Sequence, residues 1–313
     1  MKVLSLFDGI SCGRLALERA NLPVERYDAF EIDKYAIAVS KNNFPDIVHH
    51  GDVFKGDFKK FKGYDLLIGG SPCTYWSVAK KGRETTADGE GFRLFMEFVR
   101  ALKESQCRYF IYENNYSIHQ NIKAEISEKL GVQPIMINSA LVSAQNRKRC
   151  YWTNIPSVIQ PQDKGILLKD ILESGIGWQD KSYCMTASYN GAVFRNTLER
   201  KQRTMVAEPV IKPIRVGEYG KGGQGQRIYS VYGKSVSLTA NGGGQGAKTG
   251  LYKIDLPDGD YIIRKLTPVE AERLQTLPDN YTMGISNTQR YKCIGNGWTV
   301  DVIAHILGGL HDD

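Results

Sequence analysis

Short apolar runs alternate with amphipathic stretches from the first residues to about residue 155. That is the pattern of strands buried on both faces and joined by helices, a doubly wound α/β sheet. Val3 to Phe7 reads as the first strand, Leu15 to Ala20 as part of the following helix, and Tyr27 to Glu31 as the second strand. Tyr35 to Asn42 reads as the next helix and Ile47 to His49 as a weaker third strand. Asp65-Leu66-Leu67-Ile68-Gly69-Gly70 and Arg108-Tyr109-Phe110-Ile111-Tyr112 are two further strand-like runs. Between them Phe92, Phe95, Met96, Val99 and Leu102 recur at helical spacing, which predicts a helix with one stripe against the sheet.

From 156 to 262 the texture changes, with 16 of the chain's 32 glycines and few periodic segments. This stretch reads as a separate, smaller lobe. It contains a short echo, Lys181-Ser182-Tyr183-Cys184-Met185-Thr186-Ala187 against Lys234-Ser235-Val236-Ser237-Leu238-Thr239-Ala240, which suggests two similar strands. Helical periodicity returns after 263, where Thr267 is placed to cap a helix and Pro268 to occupy its first turn. The expected organisation is a catalytic and cofactor-binding domain over 1–155, the Gly-rich lobe over 156–262, and a return to the first domain over 263–313.

Charge adds a direction. Lys and Arg number 41 against 34 Asp and Glu, a mild net +7, but residues 190 to 240 hold nine basic side chains and three acidic ones. A polyanionic partner is favoured there, with Arg200, Lys201 and Arg203 as candidate phosphate contacts. The six cysteines show no Cys-x-x-Cys spacing and the five histidines no ligand pattern, so no metal is expected. The N-terminal apolar run is too short for a signal peptide and no stretch reaches membrane length, so the expectation is a cytoplasmic protein with reduced thiols and no membrane partner.

Candidate chemistry gathers where strands end. Ser71-Pro72-Cys73 follows one apolar run, Glu113-Asn114-Asn115 follows another, and Gln145-Asn146-Arg147-Lys148-Arg149 leads into Cys150-Tyr151-Trp152. A thiol, a carboxylic acid and two guanidiniums at one sheet edge suit covalent attack on a polar heterocycle. The first strand empties into Phe7-Asp8-Gly9-Ile10-Ser11-Cys12-Gly13, a tight turn onto a helix start that suits a nucleotide-like cofactor. Glu31 ends the second strand, where an acid commonly holds ribose hydroxyls, and Asp52 follows Gly51 where it could meet an adenine amino group.

In this order the motifs resemble those of the DNA cytosine-5 methyltransferases of bacteria and phages. The matching pieces are the Phe7–Gly13 loop, Glu31, Asp52, Ser71-Pro72-Cys73, Glu113-Asn114, Gln145-x-Arg147-x-Arg149, Arg264-x-Leu266-Thr267-Pro268-x-Glu270 and Gly295-Asn296. They span nearly the whole chain. The resemblance implies a mixed Rossmann-like sheet of the S-adenosylmethionine-dependent methyltransferase type, with the Gly-rich lobe as target-recognition domain. It implies S-adenosyl-L-methionine as methyl donor, S-adenosyl-L-homocysteine as product, and donor contacts from Phe7, Asp8, Gly9, Ile10, Glu31, Asp52, Leu94, Asn296 and Trp298. Cys73 would attack carbon 6 of cytosine, Glu113 would hydrogen-bond or protonate ring nitrogen 3, and Arg149 would hold the carbonyl at position 2. Arg147, the fourth member of the catalytic group, would order the loop or a phosphate.

Double-stranded DNA is the implied partner, met by a monomer that flips the target base out of the stack. A cognate restriction endonuclease is the second partner the resemblance allows. The segment from Trp76 to Gly91, with Lys80, Lys81 and Arg83, has the composition of a mobile lid. Departures from the family pattern are Ser11 and Cys12 where many members carry glycines, Thr74 where Gln is frequent, and Asn115 where Val is usual. A dinucleotide oxidoreductase would share the glycine loop and Glu31 but leave Cys73, Glu113 and Arg149 unexplained. A tRNA-methylating relative of the same fold is the alternative, and the long basic lobe favours duplex DNA.

Overall fold

The computed structural model describes residues 1–77, 82–209, 215–218, 227–229 and 261–311. Lys80 and Lys81, the second copy of the echo at 234–240 and much of the Gly-rich lobe lie outside the described residues. The chain begins β1 Lys2–Leu6, α1 Cys12–Arg19, β2 Arg26–Phe30, α2 Lys34–Asn43, β3 Val48–His49 and β4 Leu66–Gly69. It continues α3 Glu90–Ser105, β5 Tyr109–Asn115, α4 Gln120–Leu130, β6 Ile135–Asn138 and β7 Lys148–Thr153. Two short helices, α5 Leu168–Ile171 and α6 Phe194–Leu198, precede β8 Met205–Pro209, β9 Arg215–Glu218, β10 Arg227–Tyr229 and β11 Tyr261–Lys265. The chain closes with α7 Pro268–Leu274, α8 Asn287–Asn296 and α9 Val300–Gly308.

Strands β1 to β7 form one sheet in the order β3-β2-β1-β4-β5-β7-β6, parallel except that β7 runs antiparallel to both β5 and β6. Both faces are apolar, as a doubly covered sheet requires. Leu66 and Ile68 of β4 enter one hydrophobic cluster, with residues of α1 and α9, while Leu67 enters the other, with residues of α3 and α4. The α3 stripe buries Phe92, Phe95, Phe98 and Val99. Phe98 completes the stripe three residues after Phe95, and Met96 and Leu102 sit at its rim, partly buried.

The strand order reverses between β1 and β4, so the loops leaving these two strands turn apart and open a crevice. Register then decides what enters it. Leu6 is paired with Phe30 on one side and Gly69 on the other, and Gly69 with Tyr112. The following residues, Phe7, Glu31, Gly70 and Glu113, therefore emerge at one level along the sheet edge.

The C-terminal segment returns to this edge. Strand β11 pairs antiparallel with β8, from Tyr261 opposite Pro209 to Lys265 opposite Met205. Helix α7 starts as its sequence predicts, with Pro268 in the first turn and a capping box between Thr267 and Glu270. Arg264 grips the buried Glu270 carboxylate with two bonds of 2.8 Å each, which anchors the strand-to-helix junction. Helix α9 lies in the same cluster as α1 and is joined to it by the Arg19–Asp301 ion pair.

Candidate active site

On the β1 side, three residues of the loop, Phe7, Gly9 and Ser11, adopt left-handed backbone with φ of 57°, 61° and 60°. Such a conformation favours glycine, so the side chains of Phe7 and Ser11 stand there at some cost in backbone strain. Here the Ser11 hydroxyl compensates, donating to Asp8 Oδ2 at 2.5 Å and lying 2.6 Å from the Ser40 hydroxyl. Asp8 also accepts from Ser5 at 2.6 Å and from the Tyr27 phenol at 2.7 Å. Burial pushes the Asp8 carboxyl above its ordinary value, and these three hydroxyls offset that only in part. Asp8 is thus the internal tie of the loop as well as part of the cleft wall.

Glu31 accepts three backbone N–H groups at 2.8 Å, from Gly9, Ile32 and Asp33, which fix its carboxylate beside the loop. Burial raises its pKa, and the same N–H groups pull it back. Phe7, Gly9, Ile10 and Glu31 line the cleft, and Asn296 and Trp298 close it from the far end of the chain. Asp52 leaves β3 at this same edge, since the register that pairs Ala29 with His49 sets Gly51 level with Glu31. It caps the short turn after β3 through the Phe54 N–H at 3.0 Å, and Leu94 is half-buried on α3.

On the β4 side, Gly70, Ser71, Pro72 and Thr74 line the cleft, and Cys73 opens a short 3-10 turn, Cys73–Tyr75. The turn is pinned from β5. The hydroxyls of Ser71 and Tyr112 lie 2.7 Å apart, and Asn114 Nδ2 donates to Ser71 O at 3.3 Å and to the Tyr112 hydroxyl at 3.2 Å. Trp76 is fully buried in the second cluster and donates to Glu84 at 2.9 Å, while Arg83 donates to Ser117 O at 2.7 Å. The expected lid therefore begins on an anchored tryptophan, and Arg83 and Glu84 within it are held by these contacts.

Glu113 is 9% exposed and both its oxygens are engaged, Oε1 by Arg149 Nε at 2.8 Å and Oε2 by the Trp298 indole N–H at 3.0 Å. Arg149 reaches it because β7 is antiparallel to β5, which sets Arg149 opposite Asn115. Arg147 has a different employment. It is 4% exposed and donates to the carbonyls of Met185 at 2.9 Å, Gly295 at 3.3 Å and Gly297 at 2.9 Å. Of the two roles expected for it, ordering a loop is the one its contacts match; a phosphate would have to displace buried carbonyls.

Three features were missed by sequence reasoning. Gly70 is needed bare, since a Cβ there would lie 2.9 Å from Glu113 Oε2 and 3.0 Å from Glu113 O. Asp33 lines the cleft and pairs with Lys292 at 2.6 Å, a contact across most of the chain. Cys184 lies 3.5 Å from Arg147 Nη1 and 3.9 Å from Arg149 Nη2. Burial opposes ionisation of the Cys184 thiol, yet the two guanidiniums outweigh it and hold its pKa below the ordinary value. Only the doubled glycine at 69–70 left a visible signal; the other two depend on long-range folding.

The whole chain matches known proteins. The family model for C-5 cytosine-specific DNA methylase matches residues 1–311. The type II methyltransferase M.HhaI of Haemophilus parahaemolyticus is 29% identical, over 98% of this chain and 93% of that protein. The orphan methyltransferase M.Rho11sI of Bacillus phage rho11s is 31% identical, over 82% of this chain and 61% of that protein. Among solved structures, the Entamoeba histolytica methyltransferase EhMeth superposes with a TM-score of 0.69 over 100% of this chain and 98% of its own at 16% identity, a likeness of fold. A match that leaves out only the last two residues, over a chain whose Phe7, Glu31, Ser71, Glu113, Arg149 and Asn296 line one crevice, places this protein in the C-5 cytosine-specific DNA methylase family.

Proposed function

We propose that this methyltransferase uses Cys73 to form a transient covalent bond to carbon 6 of a flipped cytosine in duplex DNA, with Glu113 and Arg149 holding the base. The observation that carries the reading is the shared register row, which brings Phe7, Glu31, Gly70 and Glu113 to one edge and Arg149 across from β7. Carbon 5 of cytosine is a poor nucleophile. Thiolate addition at carbon 6, with ring nitrogen 3 hydrogen-bonded or protonated at Glu113, makes an enamine whose carbon 5 can accept a methyl group. Loss of the carbon 5 proton then expels the thiol and restores the aromatic ring. Arg149 would steady the base through its carbonyl oxygen, and Arg147 would keep the surrounding loops in place.

An aromatic ring at Phe7, a fixed carboxylate at Glu31 and the amide of Asn296 in the cleft wall form a set suited to an adenosine-bearing cofactor. S-adenosyl-L-methionine, when bound, supplies an electrophilic methyl group. Residues 7 to 10, Glu31 and Asn296 would hold it, with Trp298 beside them. The lobe over 156–262 would read the duplex. Bacterial and phage relatives and the DNA methylase family favour DNA over the tRNA alternative, and a monomer in the cytoplasm suffices for a reaction on one strand.

The test is trapping on DNA containing 5-fluorocytosine, since fluorine at carbon 5 cannot leave as a proton does. Incubation with S-adenosylmethionine should give an adduct that survives denaturation and maps to Cys73. Cys73→Ser should abolish it while donor binding persists, because a hydroxyl is far less ionised than a thiol. Cys184→Ser is the necessary control, given the lowered pKa of that thiol. An adduct lost in Cys184→Ser and kept in Cys73→Ser would overturn the assignment.

A further inference from the structure

We propose that Trp298 is a positioning residue for Glu113, holding its carboxylate in one plane and linking the donor side of the cleft to the base side. This rests on the reading of Glu113 as the group that holds the target base. The Glu113 main chain is fixed within β5, but its side chain still has free torsions. Arg149 Nε forms an ion pair with one oxygen, at 2.8 Å, and a carboxylate paired at one oxygen can swivel about that contact. The Trp298 N–H, at 3.0 Å from the other oxygen, removes the swivel. It also matters that the two donors have different fates. Arg149 is the group assigned to the base carbonyl and must adjust when a cytosine enters, whereas the indole N–H is given no contact with the base.

The indole itself is placed by packing. A Cβ on Gly70 would lie 3.4 Å from its Nε1, and one on Gly13 would lie 3.5 Å from its Cζ3. The ring therefore spans from the bare end of β4 to the first turn of α1, next to the loop that opens at Phe7. Its own backbone is steadied through Gly297, whose carbonyl accepts from Arg147 at 2.9 Å. Removal of the N–H alone should leave a ring in place and a carboxylate loose.

Trp298→Phe keeps an aromatic ring and deletes the donor. With purified full-length protein, the affinity for S-adenosylmethionine should stay within about twofold, while kcat and the rate of 5-fluorocytosine adduct formation fall together, roughly tenfold, as expected for one hydrogen bond to a charged group. Trp298→Ala, which also empties the space beside the donor loop, should lose donor affinity as well. The indole N–H resonance that disappears in Trp298→Phe should shift and exchange faster in Glu113→Ala. Wild-type kcat and adduct rate in Trp298→Phe, a defect confined to the donor KM, or an unmoved indole signal in Glu113→Ala would each overturn the proposal. Glu113 itself is judged separately: full activity in Glu113→Ala removes the reading beneath, whereas a dead Glu113→Ala beside a normal Trp298→Phe removes only the role given to Trp298.

Discussion

Arg147 and Arg149 stand two positions apart and do unlike work, because one guanidinium is surrounded by backbone carbonyls and the other by a carboxylate. Arg147→Ala would leave the carbonyls of Met185, Gly295 and Gly297 short of a buried donor, at a cost of about 3 kcal/mol. Arg147→Lys should recover only part of this, since a single ammonium cannot copy the fork. Urea unfolding measures it, and a variant as stable as wild type but inactive would return Arg147 to the chemistry. Asp8 gives a pH signature. Its folded pKa lies above the ordinary 3.8, so ionising it costs the folded state. That cost is absent at pH values below the unfolded pKa and grows as pH rises through the folded one. Asp8→Asn, which cannot ionise, should gain melting temperature relative to wild type as pH rises from the carboxylate range to neutrality. A difference that stays flat with pH would mean the carboxyl is not carrying this penalty.

At the scale of elements, the site is a consequence of register. A one-residue slip of β4 against β5 that brought Ser71 to the place of Gly70 would put a side chain against Glu113. Gly70→Ala tests the tight approach directly. Its Cβ would meet the rigid Glu113 carbonyl at 3.0 Å as well as the carboxylate, so Glu113 or the Ser71-Pro72 turn must shift. We expect activity to fall by about tenfold or more, as small misplacements of reacting groups do, with circular dichroism and donor binding near wild type. Retained activity would show that the turn has slack. This is also where the limits of sequence reading are plain. Strands β1 to β5, the Thr267 cap and the glycine loop were legible because each is written in local periodicity or turn chemistry, whereas β6 at Ile135–Asn138 was not read. The pairing of Trp298 with Glu113 was not, because it joins residues far apart along the chain. Arg147 was only half legible: its motif announced importance, and the carbonyls that claim it come from loops near 185 and 296.

For the whole molecule, the question is how a chain of only +7 net charge holds a polyanion. Residues 190 to 240 hold nine basic side chains against three acidic ones, but the basic ones are not equivalent. Arg203 donates to Gly191 O at 2.7 Å and to the Ser188 hydroxyl at 2.9 Å, so it supports the lobe's own backbone. Arg195 is paired with Glu199 at 2.7 Å. Arg200 and Lys201 are exposed side by side just before β8. If each neutralises one phosphate, their removal should lower the salt dependence of DNA binding by about 0.9 in log–log slope per phosphate, or about 1.8 for Arg200→Ala with Lys201→Ala. Arg203→Ala should instead lower thermal stability and leave the slope as it was. Titration of a fluorescent duplex over a range of salt concentrations separates the two. An unchanged slope in the double variant would make Arg200 and Lys201 an ordinary solvated face, and the grip on DNA would then have to come from other basic residues of the lobe.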